Sequence, residues 1–307
     1  MNLQCEDTIL KRLYKGEKSA GEVCQQEPGL WNIIAYEKEW EIYPSYLDFL
    51  NKNSEMYELK NLEKEIYFAL IRLFLAEVPK GSLILDAGGG IGRFTFDLAK
   101  MGHKVELVDA CKTSLETAQK YIEKINPPYS PFIKEGQKGI KIHWTRAENL
   151  SMFADNTFDA VLAIELICYC TKPDKALKEL VRVTKKNGLI IVSVEGKYGS
   201  MLSDPHIPLA KIPEILSKNL VSIKNYLYVH YFTEGSLREL LKEYGINVLN
   251  IAGCHYVMDG IFHKLINADK LKDRNYRRRV FKLEKICQED PALKNLARAW
   301  LAIGKKK

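Results

Sequence analysis

Between residues 82 and 195, short apolar or β-branched runs alternate with amphipathic stretches, and few folds accept that order. Residues 82–87, 104–109, 140–144, 158–164 and 188–194 read as strands. Residues 91–101, 112–125 and 175–184 read as helices. Strand–helix alternation of this kind predicts an α/β fold. Its mostly parallel sheet is reached by right-handed crossovers and covered by helices on both faces. Upstream, 61–78 reads as a long helix. Downstream, 196–231 breaks the alternation with Gly199, Pro205, Pro208 and Pro213. Thr233 then caps a helix to 244, Gly245 stops it, and 246–251 resumes a strand. Residues 259–298 look mainly helical, with a last strand at 299–304.

The division expected from this pattern is an N-terminal helical lid (1–60), a core (61–195), an acceptor-side insertion (196–232), and the remainder of the core with a basic helical segment (233–307). The lid assignment rests on aromatic residues at helical spacing, Tyr36, Trp40 and Tyr43. Apolar residues make up 46% of the 307 and charged residues 28%, a balance that packs a core and does not fit disorder. No run approaches the roughly 18 apolar residues of a membrane helix. The first eleven residues carry acids and no long apolar stretch, so no secretory leader is expected. Seven cysteines, odd in number and without Cys-x-x-Cys spacing, indicate neither a disulfide framework nor a metal site. A reducing, cytoplasmic setting is expected. The net charge of +7 is local: residues 264–307 hold fourteen Lys/Arg against five Asp/Glu.

The turn after the first strand reads Asp86-Ala-Gly-Gly-Gly-Ile-Gly92. Gly88 and Gly90 lack a Cβ and let the main chain approach a ligand, and the following helix offers unpaired N–H groups and a positive dipole end. In an open α/β sheet this turn lies where the strand order reverses and ligands bind. A dinucleotide fingerprint needs a further glycine at 93 or 95, which are Arg93 and Thr95. The observed D-x-G-x-G-x-G favours S-adenosylmethionine over a nicotinamide cofactor. Asp109 ends the second strand, where a carboxylate can accept from both ribose hydroxyls.

Residues 82–195 resemble the class I methyltransferases of the ubiquinone/menaquinone-biosynthesis type, whose pattern is LDxGxGxG, VDxS and DAExLPFxDNxFDxV. The counterparts here are LDAGGGIG, VDACKTSLETAQ, RAENLSMFADNTFDAV and ALKELVRVTKKNGLIIVS. The resemblance implies a Rossmann-like, seven-stranded, mostly parallel sheet with an N-terminal lid and a helical cap. It implies S-adenosylmethionine as methyl donor and S-adenosylhomocysteine as product. Carried over, Asp86 with Ala87, Gly88 and Gly90 hold the methionine end, and Asp109 holds the ribose with Ala110 beside the adenine. Ala147 and Glu148 contact the adenine edge, and Ile164 and Glu165 face the methionine moiety. Tyr36 and Tyr43 belong to a lid over the cofactor. One departure is Arg146, where the family commonly places an acid, so adenine N6 is read by Glu148 or a backbone carbonyl.

Methyl transfer is an in-line displacement that needs approach geometry and a dry pocket, and a base only for a protic acceptor. The candidate groups on the acceptor side are His206, His230 and Tyr169. The expected function is methylation, on O or N, of a small molecule or peptide natural product, possibly anionic. Methylation of RNA through the basic C-terminal segment, and binding of the cofactor without catalysis, are the alternatives. Neither nucleic acid nor membrane is expected as a partner of the leading reading, and a monomer or homodimer suffices for it.

Overall fold

The computed structural model describes residues 3–5, 7–42, 55–125, 139–205, 207–223 and 227–307. Tyr43 and His206 lie outside the described residues. Three helices open the chain: α1 (Thr8–Leu13), α2 (Glu17–Gln26) and α3 (Leu30–Ile42). Then follow α4 (Glu55–Leu75), β1 (Leu83–Ala87), α5 (Thr95–Lys100), β2 (Lys104–Asp109), α6 (Lys112–Ile125), β3 (Ile140–Trp144), β4 (Phe158–Ala163), α7 (Pro173–Val183) and β5 (Thr184–Glu195). The chain continues through α8 (Lys197–Ser203), α9 (Ile212–Lys218), β6 (Leu220–Ile223), β7 (Leu227–His230), α10 (Glu234–Glu243), β8 (Ile246–Cys254), α11 (Arg274–Glu289) and β9 (Ala299–Lys306).

Seven of these strands form one sheet in the order β3-β2-β1-β4-β5-β9-β8. The pairs from β3 to β5 are parallel, and β9 runs antiparallel between β5 and β8. The order reverses at β1, so its carboxyl end opens a crevice between β2 and β4.

Side-chain alternation sends Leu85 and Ala87 to one face and Ile84 to the other. The first face is covered by Leu177 and Leu180 of α7 and Leu237 and Leu241 of α10. The second takes Leu62, Ile66, Ile71 and Leu75 of α4, with Leu98 of α5 and Val280 of α11. In α7 the buried positions Ala176, Leu177, Leu180 and Val183 repeat at helical spacing, which places one apolar stripe on the sheet. A third cluster joins Leu10, Leu13, Val23 and Leu30 of the N-terminal helices to Leu107, Leu115 and Trp144.

One expectation is corrected. The helix read from residue 91 begins only at Thr95, because Gly90 and Gly92 hold φ of +54° and +87°, outside the helical region. Residues 259–298 are mainly helical as expected, with one α-helix, α11, and short 3₁₀ helices on either side. Asp259 takes φ +51°, and a Cβ on Gly260 would lie 2.0 Å from the His255 carbonyl oxygen. The chain therefore bends sharply before α11 can start.

That bend is held by Glu284 of α11, which is buried. Its carboxylate accepts from the backbone N–H groups of His255 (2.5 Å), Tyr256 (3.0 Å) and Val257 (3.1 Å). Removing the carboxylate leaves three buried donors without a partner, each costing about 1–3 kcal/mol. Glu284→Ala is expected to lose at least about 3 kcal/mol in urea unfolding, a large share of a typical domain's stability.

Candidate active site

The glycine turn after β1 is tied to the end of β2. Gly88 N–H and Gly89 N–H both donate to the Val108 carbonyl, at 2.7 and 3.2 Å, and Gly90 N–H donates to Asp109 Oδ2 at 2.9 Å. Asp109 Oδ1 takes Cys111 N–H at 2.7 Å. Gly88 has φ +69°, and a Cβ there would meet Leu166 at 2.7 Å, so a side chain is barred by conformation and by space. Asp86 lies beneath the turn, 1% exposed, with Thr95 Oγ1 donating to its Oδ2 at 2.5 Å. Burial raises both carboxyls to about 6, against the hydrogen bonds from Thr95 to Asp86 and from backbone N–H groups to Asp109.

Two adjoining cavities open from this turn. The larger, about 360 Å³, is lined by Asp86, Gly88, Gly90, Asp109, Ile164 and Glu165, and by Tyr36, Tyr169, Arg93 and Leu227 on its far walls. The smaller, about 90 Å³, is lined by Asp109, Ala110, Ala147, Glu148, Arg146 and Cys170. Asn32, Gly88, Asp109 and Tyr169 line both.

Most residues expected at the site thus converge along one groove. Ala87 instead packs into the core beneath it. His230 lines neither cavity. Burial holds its imidazole below the usual range, and its Nε2 is buried without a hydrogen-bond partner among the described residues. Tyr169 lines the larger cavity with its hydroxyl engaged, donating to Glu195 Oε1 at 2.5 Å. Glu195 is itself held by Ser200 at 2.7 Å and by Arg298.

Arg146 is tied to the N-terminal segment. Its Nε donates to Asp7 Oδ2 at 2.9 Å, and both side chains are nearly inaccessible. The other oxygen of Asp7 caps α1 through Ile9 N–H at 2.7 Å. The residue that departs from the family pattern thus fastens the N-terminal helices to the groove. Glu148, whose carboxyl burial raises, remains on the wall of the smaller cavity.

Sequence reasoning missed three residues that shape the groove. Asn32 of α3 donates to the carbonyls of Tyr228 (2.7 Å) and Tyr169 (3.2 Å) and accepts from Tyr228 N–H (2.9 Å), which pins α3 to β7. Glu37 Oε1 accepts from the Tyr14 hydroxyl at 2.5 Å and Thr113 N–H at 3.4 Å, docking α3 on the start of α6. Tyr67 of α4 donates to Glu165 Oε1 at 2.8 Å. No local sequence signal marks these contacts, since their partners lie 23 to 196 residues away.

The match to known proteins follows the same core. Residues 85–192 match the family model described as a methyltransferase domain. The chain carries a class I S-adenosylmethionine-dependent methyltransferase domain. It is 24% identical over 256 residues to a ubiquinone biosynthesis O-methyltransferase of Rickettsia prowazekii (strain Madrid E), spanning 80% of this chain and 92% of that one. Three further Rickettsia proteins of that name are spanned over 62%, 54% and 34% of their length. A ribosomal RNA small subunit methyltransferase G of Leptospira biflexa is 25% identical over 66% of this chain and 78% of its own. The fold is shared with a putative sarcosine dimethylglycine methyltransferase from Galdieria sulphuraria, at a TM-score of 0.52 and 15% identity over 80% of this chain and 86% of that one.

S-adenosylmethionine supplies an electrophilic methyl group on a positively charged sulfur. The groove fits such a ligand: the turn has no room for a Cβ at Gly88, and carboxylates sit at both ends of the run from Asp86 to Glu148. A ribose hydroxyl at Asp109 would bond more strongly to the carboxylate than to the neutral acid, and an ammonium at Asp86 would be attracted only by the ionised form. Since both carboxyls ionise at about 6, affinity for the cofactor is expected to fall as pH drops through that value. Calorimetric titration should show binding at least about tenfold weaker at pH 5 than at pH 7.5. Asp109→Ala should weaken it by about 10- to 100-fold at pH 7.5 while the fold survives.

Proposed function

We propose that the protein methylates a hydroxyl oxygen of a small molecule, with the acceptor seated between the carboxyl ends of β4 and β5 and the wall formed by α3 and β7. The observation that carries this reading is the larger cavity, which runs without a break from Asp86 and the glycine turn to Tyr36, Tyr169 and Leu227. It is of a size that takes a methionine chain and a compact partner, and most of its far wall is aromatic or aliphatic. The name O-methyltransferase, carried by the relative aligned over 92% of its length, supports oxygen as the acceptor atom. Seven free thiols support a reducing, cytoplasmic setting.

In this reading the chain's contribution is placement and exclusion of water. Asn32 and Glu37 hold α3 in place, and the Glu195–Arg298 pair fixes Tyr169 on the far wall. Catechol supplied with radiolabelled S-adenosylmethionine is expected to yield a methyl ether and one equivalent of S-adenosylhomocysteine; no methylated product from catechol or other simple phenols would overturn the reading. Leu227→Trp should raise KM for the phenol about tenfold and leave cofactor affinity within about twofold, because only the far wall is filled.

A second reading, methylation of RNA, is favoured by Arg278 and Arg279, which are exposed on α11. Arg277 does not join them, since it pairs with Glu58 and Glu65 of α4 at 2.8 Å each. Salt-sensitive RNA binding that disappears when both exposed arginines become alanine would decide for this second reading.

A further inference from the structure

Three elements that are distant in sequence bring Tyr67, Glu165 and His255 together at the methionine end of the groove. Glu165, just after β4, and His255, just after β8, hold φ of +52° and +62°. Neither is a glycine, and backbone strain of this kind persists where surrounding structure enforces it, often at functional sites. Each is enforced here: Glu165 N–H donates to Ser193 Oγ at 2.8 Å, and His255 N–H donates to the buried Glu284 carboxylate.

The ring of His255 is 3% exposed, and its Nε2 lies 3.1 Å from the Glu63 carbonyl oxygen. A carbonyl only accepts, so Nε2 carries the proton and the neutral ring presents a bare Nδ1. That Nδ1 faces Glu165 Oε1 at 4.0 Å. Two acceptors therefore face each other beyond hydrogen-bonding distance. Tyr67 donates its hydroxyl to the same Oε1 and cannot take a proton from it, since burial keeps the phenol protonated. Glu165 lines the cavity, and the Tyr67 hydroxyl falls on its Oε1.

The other groove carboxylates are less suited to take a proton from an acceptor. Asp109 has both oxygens on backbone N–H groups, and Asp86 lies buried beneath the turn on Thr95. Other charged groups facing the trio are Arg93 and Lys60, both paired with Glu63, and Asp259 beside Lys60. The thiols of Cys168 and Cys254 are held neutral by burial.

We infer that Glu165 is the general base of the reaction and that the buried His255 ring beside it is its positioning partner. The inference rests on the proposed transfer to a hydroxyl. The acceptor's O–H proton passes to Glu165 Oε2, and the oxygen lone pair forms the new O–C bond to the methyl group. The C–S bond breaks with its electron pair remaining on sulfur. The proton, held on Glu165 Oε2, leaves to solvent when the products depart. This assigns Glu165 a task other than binding the methionine moiety.

The test uses the full chain with S-adenosylhomocysteine bound and follows the imidazole nitrogens of His255 by ¹⁵N NMR. The expected signature of the neutral ring is a protonated Nε2 and a bare Nδ1. The Nδ1 resonance should move in Glu165→Gln, which changes the group that faces it. A proton already on Nδ1 in the neutral ring, or no change in Glu165→Gln, overturns the pairing. Cofactor affinity of Glu165→Gln should stay within about threefold, whereas a loss of tenfold or more makes the residue a cofactor ligand instead.

Turnover then separates base from scaffold. Glu165→Gln should lose about 100-fold in kcat with catechol and less than about tenfold with 4-nitrocatechol, whose more acidic hydroxyl sheds its proton near neutral pH unaided. His255→Asn should show the same ordering with smaller losses. Equal losses with both phenols overturn the assignment. Failure of the unaltered protein to methylate either phenol overturns the proposed acceptor class, while the NMR result still decides the pairing.

Discussion

Two neighbouring parallel strands end in carboxylates, and the groove depends on how the chain leaves them. After Asp86 the glycine turn has backbone donors that must be satisfied, and the end of β2 supplies the acceptors. The Val108 carbonyl takes Gly88 and Gly89, and the Asp109 side chain takes Gly90. Buried N–H groups without such partners are rare because they are costly. The turn can therefore stand away from helical geometry only where β2 runs beside β1 in this register. The crevice, the delayed start of α5 and the walls shared by the two cavities all follow from that pairing.

How much of this is legible in the sequence depends on the range of the interaction. Strands and crossover helices are written in local periodicity, and the stripe of Ala176, Leu177, Leu180 and Val183 shows in the spacing of the apolar residues alone. The capping of α10 by Thr233 is equally local, with Ser236 completing the reciprocal hydrogen bonds. Motif spacing reaches Asp86, Asp109 and Glu148 for the same reason, since each stands at a strand end or in the segment that follows. The start of α5 escapes it because glycine tolerates helical and left-handed conformations alike, and a string of letters does not say which is used.

Contacts across the fold are silent in the sequence. Arg146 looks like a departure at the adenine end, and its partner, Asp7, lies 139 residues away. Nothing near either residue announces the pair. His255 is one of several scattered histidines until β8 and α4 set it 4.2 Å, ring to ring, from Tyr67. Such residues acquire meaning from topology, because β8 reaches the active edge only through the antiparallel insertion of β9 beside β5.

The amide of Asn32 has a consequence beyond shaping the groove. It both accepts from and donates to the backbone of Tyr228, as a neighbouring strand would. The hairpin of β6 and β7 is only two strands wide, and free edges of narrow sheets are where chains recruit one another. At Tyr228 that edge is already closed by a side chain from α3. One carboxamide thus satisfies both backbone groups of Tyr228 that a further strand would otherwise take.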